Sequence, residues 1–151
     1  GQNDKRSSMT VTEIPARPNV DAFTAEVIRN SVVAITNEMK TNLMRTAYNM
    51  IIYEAEDFTV GLFDADGNTI SIGLGLPMFI RGLSDAIKAK IAYWGKQNIE
   101  PGDILLTNDP QVMGSHLNHM IFTLPVFQDG ELIAFASSMG HWQDVAACSA
   151  Q

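Results

Sequence analysis

Two Asp-Gly pairs, Asp66-Gly67 and Asp129-Gly130, do most to limit what this chain can fold into. Each stands between β-prone runs, in "FTVGLFDADGNTISIG" (58–73) and "MIFTLPVFQDGELIAFASSMG" (120–140). A tight hairpin turn needs positive φ angles, which this residue pair accepts and bulky residues resist. Both stretches are therefore read as β-hairpins. Ahead of the first, Ile28, Val32, Ile35, Met39, Leu43 and Ala47 recur at steps of three and four. That spacing predicts a long helix from about 22 to 49 with this face on the core. Leu83, Ile87, Ile91 and Trp94 predict a second helix from about 82 to 97, with Ser84 near its start and Pro101-Gly102 past its end. The fold class expected is α+β, two main helices packed against β-hairpins. Residues 1–20 are polar, carry Pro15 and Pro18 and show no periodicity, and are read as a flexible lead; residues 21–151 are the folding unit.

The second hairpin also organises the chemistry. All three histidines of the chain, His116, His119 and His141, lie at its outer ends, in "GSHLNHMIFTLPVFQDGELIAFASSMGHWQD" (114–144). Ile104 to Thr107 reads as a short buried strand, and Asn108-Asp109-Pro110 and Gly114 turn it into a loop bearing His116 and His119. Two antiparallel arms of similar length return to the same level, so His141 is expected beside that loop. Converging imidazoles suit a transition metal, with carboxylates to complete the shell. The carboxylate candidates are Asp57, Asp109 and Asp144. Each has a plainer reading. Histidines in loops and hairpins are more often hydrogen-bonded structural residues, and Asp57 sits where strands commonly start in solvent. Asp109 in "NDP" is a natural turn former. Trp142 reads as packing, with lining of a pocket as its functional alternative, and Glu54 and Glu56 read as solvated.

Other classes of function are disfavoured by what the sequence carries. A net charge of −7 with no basic stripe argues against nucleic acid. No apolar run approaches the ~18–20 residues of a membrane span, so no membrane partner is expected. Gly73 and Gly75 in "SIGLGLP" lack the surroundings of a phosphate loop, so no nucleotide site is assigned. No nucleophile elbow occurs, and the single cysteine, Cys148, cannot pair internally, which fits a reducing compartment; cytoplasm is the expected location.

The segments "RTAYNMIIYEAEDFTVGLFDADGNTIS", "PGDILLTNDPQVMGSHLNHMIFTLPVFQDGELIAF" and "GHWQDV" resemble the N-terminal part of the hydantoinase B/oxoprolinase family, which also includes the large subunits of acetone and acetophenone carboxylases. The resemblance runs from about Asp21 to Val145. It aligns Asp57 with the family's strand carboxylate, His116 with its loop histidine, His141 with the histidine after the hairpin and Asp144 with the aspartate of that last segment. His119 stands where the family usually has aspartate, and "AACSAQ" replaces its usual Gly-Gly continuation. The resemblance implies a divalent metal, zinc, manganese or iron, held by Asp57, His116, His119 and His141, with Asp109, Trp142 and Asp144 around them. Ligand distances of about 2.0 to 2.2 Å are expected for zinc. It implies the N-terminal portion of a larger, multi-domain subunit within an ATP-dependent, two-component enzyme that hydrolyses cyclic amides such as hydantoins or 5-oxoproline. In that arrangement ATP is used by a hydantoinase A-like partner subunit, and the assembly is a hetero-oligomer. Two alternatives stay open here, an ATP-dependent ketone carboxylase and a noncatalytic interaction domain.

Overall fold

Residues 20–74, 80–113 and 116–142 are described by the computed structural model. They form α1 (Ala22–Thr46), α2 (Met50–Tyr53), β1 (Phe58–Asp64), β2 (Thr69–Leu74), α3 (Ile80–Trp94), a 3₁₀ turn (Lys96–Asn98), β3 (Leu105–Thr107), α4 (Pro110–Met113), β4 (His119–Gln128) and β5 (Glu131–His141). The architecture is α+β, as the two turn signals and two helical periods imply. The strands make one antiparallel sheet in the order β2-β1-β5-β4-β3. No helix among the described residues is long and apolar enough to cross a membrane. The lead read at 1–20, except Val20, lies outside the described residues, as do Asp144 and Cys148.

Both turns fall where the Asp-Gly pairs stand, by different means. At Asp129 (φ 51°) and Gly130 (φ 82°) the two central residues take positive φ, as a two-residue turn demands. The first turn is longer. The Asp64 carboxylate accepts from the backbone N–H groups of Asp66 and Asn68 at 2.9 and 2.8 Å and organises it from one side chain, while Gly67 supplies the positive φ of 81°. Ser84 Oγ then donates to Gly67 O at 2.7 Å and ties α3 to this turn.

Side chains alternate across each strand, so the sheet has two distinct faces. On one, Phe63, Phe135, Met139, Ile121 and Leu105 meet Leu83, Ala86 and Ile87 of α3 in the main core. Phe63 and Phe135 are fully buried, and truncating either ring to alanine costs about 3–5 kcal/mol. On the other, Phe58 and Val60 meet Ile52 of α2, with Met39, Leu43 and Met44 of α1.

The expected helix faces are covered along part of their length: Met39, Leu43 and Ala47, and Leu83, Ile87 and Ile91, pack as the periodicity predicts, while the start of α1 and the end of α3 depart from it. On α1 the buried residue is Thr36, whose Oγ1 lies 2.7 Å from Ser71 Oγ. Ile28 and Ile35, assigned to the core face, are half exposed, and every residue from Ala22 to Ser31 is exposed. Periodicity reports that a helix has an apolar face; it does not report how much of the helix reaches past the sheet. Likewise Trp94 is 53% exposed at the end of α3. β3 is an edge strand that buries Leu105 and leaves Ile104 and Leu106 exposed, so the buried strand read there is corrected.

One polar network crosses the main core. Lys90 of α3 is 5% exposed and donates from Nζ to Leu105 O, Ile121 O and Thr123 Oγ1 at 2.8 to 2.9 Å. Ser137 Oγ donates its only hydrogen to Phe122 O at 2.8 Å, so the 2.8 Å contact between Thr123 and Ser137 takes its hydrogen from Thr123. Thr123 then has none left for Lys90. Satisfying all three acceptors requires three hydrogens on Nζ, the ammonium form.

Candidate metal centre

Period-two alternation places the functional side chains. His119 opens β4 and His141 closes β5, and the two are cross-strand partners in the hairpin register. Counting by twos along β4 and β5, both share the face of Ile121, Thr123, Ser137 and Met139, at its open end. His119 therefore begins the strand; its placement in the preceding loop is corrected. Its N–H donates to His116 O at 3.1 Å, which folds the chain back and sets the two rings over each other. Asp57 stands one residue before β1, and its carbonyl accepts from His141 N–H at 3.1 Å.

The three imidazoles form one cluster. Ring centroids lie 4.3 Å apart for His116 and His119, which stack, 4.8 Å for His116 and His141, and 5.3 Å for His119 and His141. Asp57 Oδ1 is 3.3 Å from His119 Nε2, with the imidazole N–H donating because a carboxylate only accepts. His119 is 4% exposed, His141 half-buried and His116 exposed, so the cluster has a buried end and a solvent end. Burial holds the His119 pKa below the ordinary histidine value, against the pull of Asp57, and His116 and His141 push it further down. The neutral ring is the form that ligates a metal.

The residues fit a divalent ion in kind and in nearness. His141 Nδ1 is buried with no hydrogen-bond partner among the described residues, a condition a coordinate bond would relieve. The donor atoms are not aimed at one point: among the described residues, no group of three or more His, Cys, Asp or Glu side chains is placed to hold a metal ion. Stacked rings present faces to each other, and ligation needs ring edges, so the His116–His119 pair as placed is not a coordinating one.

The remaining candidates sort by contact. Asp109 accepts from Gln111 N–H at 2.8 Å and caps α4, the turn-forming role. It lines a cleft of about 360 Å³ with Lys90, Tyr93, Trp94 and Leu106, apart from the histidines. Trp142 packs on the Phe58/Val60 cluster. Glu56, read as solvated, is half-buried with its carboxylate 3.5 Å from Lys40 Nζ. Three asparagines, of which the sequence singles out Asn108 and only as a turn former, hold the backbone around the cluster. Asn49 Nδ2 donates to His141 O at 2.8 Å, Asn118 Nδ2 to Trp142 O at 3.0 Å, and Asn108 Nδ2 to Leu117 O at 3.1 Å. Asn49 has a local signal, standing just before "MIIY" as an N-cap would, but nothing local points to its distant partner.

Comparison with known proteins shows what the chain as a whole is similar to. Residues 21–150 match the family model of Hydantoinase B/oxoprolinase. The 5-oxoprolinase 1 of Arabidopsis thaliana is 31% identical over 125 residues, 83% of this chain and 10% of its own. Caprolactamase subunit beta of Pseudomonas jessenii is 32% identical over 126 residues, 83% of this chain and 22% of its own. The crystal structure of the ATP-dependent caprolactamase from Pseudomonas jessenii superposes with a TM-score of 0.79 at 30% identity, over 87% of this chain and 22% of that one. Nucleotide-free acetone carboxylase shares the fold, with a TM-score of 0.67 at 19% identity over 77% of this chain and 16% of that one. The chain thus spans between about a tenth and about a quarter of the length of the curated relatives it matches.

Proposed function

The chain belongs to the hydantoinase B/oxoprolinase family, and from that premise we propose that it contributes a divalent metal centre to an ATP-dependent enzyme that opens cyclic amides. The observation that carries the reading is the meeting of His116, His119, His141 and Asp57 at one end of the sheet, with ring centroids no more than 5.3 Å apart. Those four side chains would hold the ion, which when bound supplies a Lewis acid and lowers the pKa of a water molecule. Asp57 gives the site its negative charge and fixes the His119 tautomer through the Nε2–H bond. His119 and the sheet wall off the inner side, and exposed His116 marks the side open to substrate.

Among the relatives that share about 30% identity are a 5-oxoprolinase and a caprolactamase subunit, and both names describe action on a lactam. A cyclic amide such as 5-oxoproline, a hydantoin or a caprolactam is therefore the substrate class proposed. ATP is handled outside the described residues, by a hydantoinase A-like unit that activates the amide oxygen. A hetero-oligomer is the assembly proposed, and the subunit name of the caprolactamase relative supports it. The exposed residues Phe23, Val27 and Ile28 on the overhanging start of α1 support a partner surface. Ketone carboxylation is the second reading, and acetone carboxylase supports it by fold alone.

Metal analysis tests the proposal. Purified protein is expected to carry or take up about one equivalent of zinc, manganese or iron, and to lose it when His116 and His141 are both replaced by alanine. A folded protein that takes up no divalent metal would leave the interaction-domain reading in place. Co-expression with an ATP-binding partner then separates the two enzymes: ATP hydrolysis stimulated by a lactam supports the amide reading, and stimulation by a ketone with bicarbonate overturns it.

A further inference from the structure

Asn49 stands in the break between α1 and α2 and bonds in two directions. Its Oδ1 accepts from Ile51 N–H at 3.0 Å and caps α2, while its Nδ2 donates to His141 O at 2.8 Å, across 92 residues of sequence. The side chain is largely buried. Because His141 N–H donates to Asp57 O at 3.1 Å, the backbone of His141 is held at both of its polar groups. Both holding residues come from the segment 48–57.

Backbone strain marks the same segment. Besides Asp129 in the second hairpin, the non-glycine residues with positive φ among those described are Tyr48 (φ 41°) and Glu56 (φ 51°). One directly precedes Asn49 and the other directly precedes Asp57. Glycine would adopt this conformation without a clash, and neither position has it. Sparsely populated backbone of this kind persists where the surroundings impose it. Between the two, Ile52 is fully buried against β5, its Cδ1 3.0 Å from where a Cβ on Gly140 would stand. The short helix is thus pinched at both ends and pressed onto the strand end that carries His141.

We propose that residues 48–57 form a clamp on the end of β5, and that Asn49 is its positioning residue, fixing the His141 carbonyl and through it the direction of the imidazole. This rests on the metal centre proposed above. It gives the unusual backbone at Tyr48 and Glu56 a purpose: each delivers a group that holds one side of His141.

Asn49→Asp isolates the effect. Aspartate keeps the oxygen that caps Ile51 N–H and the shape of the side chain, and it sets a second oxygen against His141 O where the donor was. The probes are Zn²⁺ alone, in competition with a chromophoric chelator, and NMR contacts between the His141 and His119 rings in metal-free full chain. Zinc affinity is expected to fall about 10- to 100-fold and the ring contacts to weaken, with the metal-free Tm within a few degrees of the parent. If N49D does not fold, Asn49→Ser, whose hydroxyl still caps α2, decides by the same two readouts. Parental zinc affinity together with parental ring contacts overturns the proposal. If the parent chain itself takes up no zinc, the metal centre fails, and the clamp is judged by the ring contacts alone: it stands if the variant loses them and falls if it keeps them.

Discussion

His119 and His141 are cross-strand partners at the open end of the β4–β5 hairpin, and their rings lie 5.3 Å apart. Register, not loop flexibility, therefore holds two of the three imidazoles together. A one-residue slip of either strand would turn its histidine to the opposite face. The rest of the hairpin, including the β-bulge between Val126 and Phe127, lies beyond them and fixes that register.

His119 sets the character of the donor group. Replacing it with aspartate, His119→Asp, exchanges a neutral nitrogen for an anionic oxygen, which suits a harder ion. The ratio of zinc to manganese affinity is expected to move toward manganese by on the order of 10-fold, read by calorimetric titration of each metal. An unchanged ratio in a folded variant would place His119 outside the coordination shell.

Asp57 acts on the same ring. Asp57→Asn keeps the size of the side chain and an oxygen for the His119 N–H, and removes the charge. Affinity for either metal is expected to drop by about 10- to 100-fold without loss of fold, because Asp57's bond to His141 uses its backbone carbonyl. Far-UV circular dichroism beside the titration checks both halves.

Packing between α1 and β2 gives a test of the fold. A Cβ added at Gly73 would stand 2.7 Å from Thr36 O and 2.9 Å from Val60 Cγ2. The first is helix backbone and cannot step aside alone. Gly73→Ala is expected to destabilise the protein by about 1–3 kcal/mol, measured by urea unfolding. Ile70→Ala on the same strand, at a half-exposed site, should stay within about 0.5 kcal/mol.

The sequence announced its turns and its cluster, and concealed what covers them. Asp129-Gly130 is a local signal, so the hairpin and the nearness of His141 to His116 and His119 follow from counting along two strands. Whether His119 belongs to the loop or to the strand depends on where pairing with His141 begins, and no propensity marks that. Ile28, Ile35 and Trp94 read as members of buried faces because periodicity gives a face and no neighbour. Lys90 and Asn49 were invisible for a related reason: their partners lie 31 and 92 residues away, and a charged or amide side chain in a helical stretch reads as solvated until those partners are known.

Lys90 provides the pH test. Burial pushes its pKa down to about 7, while the three acceptors around it favour the charged form against that pull. The unfolded chain keeps an ordinary lysine near ~10.4. Below about 7 both states hold the proton and the full cost of burying the charge is present. Between about 7 and ~10.4 the unfolded state binds a proton that the folded state releases, so stability rises with pH by up to ~1.4 kcal/mol per unit. Lys90→Met removes this contribution and leaves the other titrating groups in place. Urea unfolding of both proteins at pH 7, 8 and 9 should show the stability of the parent relative to the variant increasing with pH. Parallel curves would mean that the three acceptors keep Lys90 charged throughout, with a folded-state pKa close to that of the unfolded chain.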